Sequence, residues 1–174
     1  MQLQFDGEDH IVYVIDTSGL IKLESTFRPD DATFAALWEE IDSLISQSRF
    51  RVIDYVEQEI NDYEGPEEFL KTWVAKRKKR LVYETTSECY NAAIPIANEE
   101  YNTGFFNAKK QAEGKEEADP FLIAYCMVNN CVLITNESPT RHNRIPAVAK
   151  KKGVTCIDAY AFIRDRGLKM ERRK

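Results

Sequence analysis

Four acidic residues, Asp16, Glu59, Asp119 and Glu137, are placed so that a parallel sheet would gather them at one edge. Carboxylates that are crowded together repel one another, and their pKa values rise unless a cation neutralises them. Mg²⁺ or Mn²⁺ is the natural partner, because hard divalent ions take oxygen ligands and can activate water against a phosphodiester. The sequence disfavours a zinc site, since it has only two histidines and no suitable cysteine spacing.

Apolar runs that alternate with amphipathic segments predict the elements that position these acids. Buried strands are predicted at residues 11–15, 51–53, 131–135 and 154–157. Helices are predicted at residues 31–48, 54–63, 120–128 and 158–166, with another that starts at Gly65-Pro66. Strands separated by helices imply crossover connections and a parallel sheet with helices on both faces. Ligands of such sheets bind at the carboxyl ends of the strands.

Three of the acids are expected at that edge. Asp16 directly follows the first strand, and Glu137 lies two residues after the third. Asp119 precedes Pro120 and is predicted as the N-cap of a helix that leads into the third strand. Each of these residues also has a structural explanation when it is taken alone, as a turn former, a helix cap or a loop acid.

The fourth acid comes from the helix that follows the second strand. Glu57 and Glu59 are about 200° apart around a helix axis, so only one of them can face a given site. Asp54 and Glu57 have the spacing of a capping box, which gives Glu57 a local role. The helix acid of the site is therefore predicted to be Glu59.

Short strings around these acids occur in the order and spacing of PIN-domain ribonucleases. They are Tyr13–Ser18 (YVIDTS), Val56-x-x-Glu59-Ile60, Ala118–Ala124 (ADPFLIA) and Val132–Glu137 (VLITNE). The sequence resembles this family, and most of all a PIN-like subgroup among the toxins of bacterial and archaeal toxin–antitoxin systems. The resemblance implies an α/β fold, a three-layer α/β/α sandwich with a mainly parallel sheet of about four to five strands.

The same resemblance implies an activity, the metal-dependent cleavage of single-stranded or structured RNA. Asp16 would be the first metal ligand, Glu59 the helix acid and Asp119 the third ligand. Glu137 stands where most members have Asp, so its longer side chain would hold a second metal or a water. One Mg²⁺ or Mn²⁺ would activate the attacking water and a second would stabilise the leaving oxygen.

Hydroxyl and amide residues near the acids are expected to orient them. Ser18 stands where the family often has a hydroxyl that positions the site through hydrogen bonds, although it also fits an N-cap of the next helix. Thr135 and Asn136, which directly precede Glu137, are assigned the same supporting role.

The net charge of −5 argues against a generic polyanion binder, so RNA would have to be held by local basic clusters. The candidate phosphate-binding residues are Lys76, Lys79 and Arg80 in one cluster, and Arg141, His142 and Arg144 in the loop after Glu137. The first cluster is also explained as a solvated helix end that complements the helix dipole.

Length and composition predict one globular domain over residues 1–174, mainly helical and least well defined over 65–114. Within that region, residues 87–114 are predicted as helical pieces interrupted at Pro95 and at Asn102–Gly104. Four cysteines without a paired spacing are expected to be reduced, and no apolar run approaches membrane-spanning length. A cytoplasmic protein is expected.

The leading interpretation is an endoribonuclease toxin that is restrained by an antitoxin protein and that is able to form a homodimer. A catalytically inactive PIN-like domain that binds RNA or protein is the alternative. An aspartyl phosphohydrolase or receiver-like domain is a weaker third hypothesis, because Thr17-Ser18 follows Asp16 where such phosphohydrolases have an Asp-x-Asp pattern.

Overall fold

The computed structural model describes residues 10–63, 68–107, 112 and 117–168, and within them it contains a five-stranded parallel sheet. The strands are β1 (Tyr13–Ile15), β2 (Phe50–Ile53), β3 (Val82–Tyr83), β4 (Val132–Ile134) and β5 (Cys156–Ile157). Their order across the sheet is β3-β2-β1-β4-β5, and every neighbouring pair is parallel. The order reverses at β1, which is the kind of position where parallel sheets bind ligands.

Helices flank the sheet. They are α1 (Thr17–Thr26), α2 (Ala35–Ser46), α3 (Asp54–Asp62), α4 (Glu68–Leu81), α5 (Ser87–Glu100), α6 (Asp119–Asn129), α7 (Ile145–Lys151) and α8 (Ala159–Asp165). The predicted three-layer α/β/α fold with a parallel sheet is confirmed.

The central strand is apolar because both of its faces are covered. Val14 and Ile15 are fully buried, and Tyr13 packs edge-on against Phe162 of α8 with ring centroids 5.0 Å apart. A strand of this kind gains burial from every side chain, which explains the absence of polar alternation in its sequence. The core thus fixes the β1 end, from which Asp16 emerges.

Most predicted elements are present with shorter bounds. The helix predicted from residue 31 begins with a 3₁₀ turn at Ala32–Phe34, where the Asp31 side chain accepts a hydrogen bond from the Thr33 N–H at 2.8 Å. Asp158 caps α8 by accepting from Ala161 N–H at 2.7 Å. The predicted helix start at Gly65-Pro66 lies outside the described residues.

One predicted interruption is wrong. Pro95 lies inside α5, which runs without a break over Ser87–Glu100. Pro95 is exposed, so the backbone carbonyl that loses its helical partner can bond to water. The opposite face of α5 buries Cys89, Ala93 and Ile96 and packs along α6, and this burial holds the helix together.

The predicted capping box of α3 is also wrong. Asp54 is the first residue of the helix rather than its cap, and its carboxylate accepts hydrogen bonds from the backbone and hydroxyl of Thr85 at 3.1 and 2.6 Å. Glu57 instead forms an ion pair with Lys78 of α4 at 2.8 Å. Both acids therefore tie α3 to its neighbours in the tertiary structure, which the local spacing alone does not reveal.

Candidate active site

A crevice of about 400 Å³ opens at the carboxyl edge of the sheet and is lined by five acidic side chains. They are Asp16, Glu59, Glu117, Asp119 and Glu137. The structure therefore brings together the four acids that the sequence singled out and adds Glu117. Asp16 and Glu137 follow strand ends, Glu117 and Asp119 lie just before and at the start of α6, and Glu59 lies within α3.

Asp16 is the most firmly held of the five acids. Its Oδ1 accepts hydrogen bonds from the Gly19 N–H at 2.6 Å and from the Ser18 hydroxyl at 3.0 Å. Its Oδ2 accepts from the Thr135 hydroxyl at 2.5 Å and from the Ser18 hydroxyl at 2.8 Å. Asp16 is thus the N-cap of α1 and a member of the acidic crevice at once.

Ser18 and Thr135, which were predicted to orient the acids, both form hydrogen bonds with Asp16. Ser18 shares its hydroxyl between both oxygens of Asp16 and accepts a hydrogen bond from the Asn136 N–H at 3.0 Å. The Thr135 hydroxyl accepts from the Glu137 N–H at 3.1 Å. Asn136 therefore takes part through its backbone. This network joins the β1 and β4 ends of the crevice.

Burial raises the pKa of Asp16 from 3.8 to about 7, even though the hydrogen bonds from Thr135, Gly19 and Ser18 lower it. Removing a carboxylate from water penalises its charged form, and here this cost exceeds the stabilisation from the donors. Near neutral pH the group therefore binds a proton readily, and a cation would have to displace it.

Asp119 was predicted to be the N-cap of α6, but the N-cap lies one residue earlier. The Ala118 carbonyl accepts the first helical bond from Leu122 N–H at 2.8 Å, so Ala118 is the N-cap and Asp119 is the first residue of α6. The Asp119 carboxylate is thereby directed to the crevice. Burial raises its pKa well above the usual value, and the negative charges of Glu137 and Glu59 raise it further.

Glu59 connects the two aspartate positions. Its Oε2 accepts a hydrogen bond from the Thr17 hydroxyl at 2.6 Å, directly after Asp16 in the chain. Its Oε1 lies 3.5 Å from the Ala118 N–H, directly before Asp119. Glu57, in contrast, points to α4. Only one of the two acids lines the crevice, as the helix geometry required, although the capping box on which the choice of Glu59 rested does not form.

Glu137 lines the crevice from the β4 side and also serves α7. Its Oε2 accepts a hydrogen bond from the Ile145 N–H at 2.7 Å, at the first residue of that helix. Its Oε1 lies 3.4 Å from the Arg144 guanidinium. Arg144 itself lines the crevice, so one cation stands among the acids.

Glu117 is the site residue that sequence reasoning missed. It is buried, and its Oε1 accepts a hydrogen bond from the Asn107 N–H at 2.5 Å. This interaction draws the segment after α5 against the crevice. The only signal in the sequence was the acidic run from Glu113 to Asp119, which has no periodicity that would single out position 117.

The donor set suits a hard divalent cation that keeps part of its water. Within the described part of the chain, no three His, Cys, Asp or Glu side chains stand close enough together to hold an ion. Mg²⁺, however, is commonly bound through one or two carboxylates, with water completing its octahedron. Asp16 and Asp119 fit this pattern, since both are carboxylates of raised pKa in one crevice.

The predicted basic residues are divided by the structure. Arg144 lines the crevice, while Arg141 and His142 are exposed in the same loop. Lys76, Lys79 and Arg80 are exposed on α4. Two other basic residues of that cluster form ion pairs with neighbouring helices.

These two residues are Arg77 and Lys78. Arg77 pairs with Asp42 of α2 at 2.6 Å, and Lys78 pairs with Glu57 of α3. Part of this basic run therefore ties α4 to other helices.

The remaining predictions concern cysteines and membranes. All four cysteines are free thiols, and Cys89, Cys126 and Cys131 are buried. Burial raises the pKa of Cys126, which leaves it in the unreactive thiol form. Among the described residues, no helix has the length and apolarity to cross a bilayer.

Comparison with known proteins places the chain in a family. The model of DUF4411, described as a domain of unknown function, matches residues 13–170. The chain belongs to the DUF4411 family. No curated protein matched the sequence.

Two solved structures share the fold of this DUF4411 protein. DNA-bound VapBC from Salmonella typhimurium has a TM-score of 0.52 and 15% identity, over 85% of this chain and 98% of that chain. VapBC2 from Rickettsia felis, bound to a DNA fragment from its promoter, has a TM-score of 0.51 and 12% identity, over 85% and 98%. These similarities confirm the PIN-like fold that the sequence motifs predicted.

Proposed function

We propose that this protein is a Mg²⁺- or Mn²⁺-dependent endoribonuclease that hydrolyses RNA phosphodiesters with an activated water. One observation carries the proposal: acids from separate elements, Asp16, Glu59, Asp119 and Glu137, line one crevice at the carboxyl edge of a PIN-like sheet. Raised pKa values at both aspartates support it, since perturbed carboxylates that share a cleft are typical of functional sites.

Asp16 and Asp119 are the residues that would hold the cation. When bound, the ion supplies positive charge that lowers the pKa of water and neutralises the phosphate. Glu59 and Glu137 are engaged with Thr17 and with the start of α7, so they would act through water or at a second ion. Attack by water does not need the 2′-hydroxyl of RNA, so the expected products have 5′-phosphate and 3′-hydroxyl ends.

The basic loop next to the crevice is proposed to bind the phosphates of the RNA. Replacing Arg141 and Arg144 together with Ala is expected to flatten the salt dependence of RNA affinity, by roughly 0.7 in slope for each phosphate that the variant no longer neutralises. The matched comparison replaces Lys76, Lys79 and Arg80. If that second set alone changes the slope, RNA enters along α4 and the assignment to the loop is wrong.

The proposed biological role is that of a toxin, and it is supported by the resemblance to toxins and by the VapBC structures that share the fold. The protein is proposed to act in the cytoplasm, to bind an antitoxin protein and to form homodimers. Expression without the partner is expected to slow growth, and Asp16→Asn is expected to remove the effect. Normal growth at a level where the purified protein cuts RNA would contradict the toxin role and leave the nuclease role standing.

The hydrogen bonds of Glu137 favour a second candidate function. This carboxylate caps α7 and pairs with Arg144, so its presence in the crevice also has a structural explanation. The second candidate is therefore a PIN-like domain that binds RNA or protein at the crevice without cutting it. Binding of intact RNA at every metal concentration would support this alternative.

The deciding experiment titrates Mg²⁺ and Mn²⁺ into the purified protein with a fluorescent RNA. Cleavage should require the metal, cease with EDTA and be absent in Asp119→Asn. The matched control is Asp165→Asn, at an exposed aspartate of α8 outside the crevice, which should cut like the wild type. Metal-independent cleavage, or equal cleavage by both variants, would contradict the proposal.

A further inference from the structure

The acidic crevice also has an aromatic wall that the proposed chemistry does not use. Tyr63, at the end of α3, and Phe105 and Phe106, in the segment between α5 and α6, line the same crevice as the five acids. Tyr63 is 40% exposed and Phe106 is half-buried, so both present ring surface. Phe105 is buried and belongs to the core.

Several interactions hold Phe106 at this wall. Phe105 packs edge-on against it, with ring centroids 5.4 Å apart and planes at 76°. On one side the Asn143 amide donates to the Gly104 carbonyl at 3.0 Å, and on the other the Asn107 N–H donates to Glu117. A ring whose backbone is fixed in this way costs little entropy when a ligand stacks on it.

Tyr63 is fixed by the end of helix α3. Its N–H donates to the Ile60 carbonyl at 3.3 Å, which closes α3 one turn after Glu59. Its ring lies in a small cleft with Ile21 of α1 and with Ile60. Tyr63 thus lines both this apolar cleft and the acidic crevice, and 40% of its surface is exposed.

The charge of the crevice determines what these rings would bind. The carboxylates of the crevice outnumber its one guanidinium and repel the phosphates of an RNA, so an uncharged part of the nucleotide can add affinity that the phosphates do not supply here. Unpaired bases stack on aromatic side chains with about 1–3 kcal/mol per base. At about 400 Å³, the crevice also falls within the range of pockets that take small ligands.

We infer that Tyr63 and Phe106 form a stacking subsite for an unpaired base next to the scissile phosphate. This inference rests on the proposed nuclease function. In duplex RNA the bases are paired and stacked on one another, so they cannot reach the rings. Glu117 is then a positioning residue, because it holds the segment that carries Phe106.

The test measures cleavage of a short oligoadenylate by Tyr63→Ala and Phe106→Ala. Each change is expected to raise KM by roughly five- to a hundred-fold and to leave kcat nearly unchanged, because stacking stabilises the ground state and the transition state equally. Tyr63→Phe and Phe106→Tyr, which keep an aromatic ring, should have a KM close to that of the wild type, whereas Phe106→Leu should have a raised KM. Tyr101→Ala is the matched control, since Tyr101 is 66% exposed and lies outside the crevice lining.

Substrates with one abasic nucleotide separate stacking from a structural effect. The wild type should lose affinity when the abasic site adjoins the scissile phosphate, and the Ala variants should show no further loss. The duplex of oligoadenylate with oligouridylate should be cut poorly by all variants. Unchanged KM in both Ala variants, or an equal abasic penalty in wild type and variants, would overturn the inference and leave the nuclease function standing.

Binding measurements keep the two proposals distinguishable. If the wild type binds oligoadenylate without cutting it, and the Ala variants bind with a Kd raised by roughly five- to a hundred-fold, the stacking subsite stands and the nuclease function fails. If the wild type binds no single-stranded RNA, the stacking subsite is refuted as well.

Discussion

The two aspartates of the crevice have different surroundings. Asp16, at the β1–α1 junction, is surrounded by donors from Ser18, Gly19 and Thr135. Asp119, at the start of α6, receives no hydrogen bond from the described residues and faces the negative charges of Glu137 and Glu59 instead. Both have raised pKa values, but donors oppose the rise at Asp16 and charges add to it at Asp119.

This difference separates two tasks within one site. The donors around Asp16 fix the direction of its oxygens, which is the geometric requirement of a metal ligand. The protonation state of Asp119 depends on its burial and also on how many of its neighbours are charged, because like charges couple their titrations. In the proposed metal site, Asp16 would supply a fixed position and Asp119 a charge that responds to the cation.

The largest expected effect is on catalysis. Asp16→Asn and Asp119→Asn should each lower metal-dependent RNA cleavage by at least about a hundred-fold, since even partners of metal ligands are worth 10–100-fold. The two variants should differ in thermal stability. Asp119→Asn should raise the melting temperature because it removes a crowded charge.

Asp16→Asn should stabilise the protein less. In the wild type the Thr135 hydroxyl donates a hydrogen bond to Asp16, and the amide group of the variant would bring a second donor to this hydroxyl. Thermal unfolding without metal would measure this contrast. A larger stabilisation from Asp16→Asn than from Asp119→Asn would refute the distinction between the two positions.

The second expected effect is a pH dependence of stability in metal-free protein. Between about pH 4 and 7 the native state holds the Asp16 proton more tightly than the unfolded chain does, so the free energy of unfolding falls as pH rises through this window. The difference between 3.8 and about 7 corresponds to roughly 4 kcal/mol. Below pH 4 and above pH 7 this group contributes no slope.

Denaturant unfolding at several pH values would check the slope against Asp16→Asn, which should lack this contribution. Saturating Mg²⁺ should flatten the slope, since a bound cation favours the charged carboxylate. A wild type and a variant with the same slope would show that burial does not govern Asp16.

A smaller effect is expected from the donors of Asp16. Thr135→Val should lower cleavage and Mn²⁺ affinity by about 10–100-fold, because it removes one hydrogen bond that orients the ligand without changing the charge. Thr135→Ser should retain activity. Thr103→Val is the control, since that hydroxyl donates to the Glu100 carbonyl outside the crevice. A Thr135→Val enzyme with unchanged metal affinity would contradict an orienting role.

The contrast between the two aspartates also shows what sequence can predict here. Asp16 was predictable because a buried strand ends at a fixed place, and the residue after it must lie at the sheet edge. Asp119 lies at the crevice, as expected, but it is not the N-cap. The Ala118 carbonyl accepts the first helical hydrogen bond, and the sequence pattern does not reveal this one-residue shift.

Glu117 and Phe106 were not predictable from the sequence. They join the site through a hydrogen bond between Asn107 and Glu117, across ten residues that carry no periodic pattern. The two-residue strand β3 and the helix α7 were missed for a similar reason, because their lengths are too short for a periodicity to appear.

The smallest expected effect concerns the residue that joins the two aspartate positions. Glu59 contacts Thr17 beside Asp16 and the Ala118 N–H beside Asp119. Glu59→Gln keeps an acceptor for Thr17 but turns an amide donor toward Ala118 and removes a negative charge from Asp119. Cleavage should fall by about ten-fold, at the low end of the cost of a partner of metal ligands. Glu57→Gln is the matched control on the same helix.

Glu57 pairs with the largely exposed Lys78, so its variant should keep its activity and lose at most about 1 kcal/mol of stability. Steady-state cleavage rates and thermal unfolding of both variants provide the measurement. Equal loss of activity in two folded proteins would mean that Glu59 does not join the aspartates, and that α3 acts on the crevice as a whole. Loss in Glu59→Gln alone, together with a lowered pKa of Asp119, would show that the two positions are coupled through this side chain.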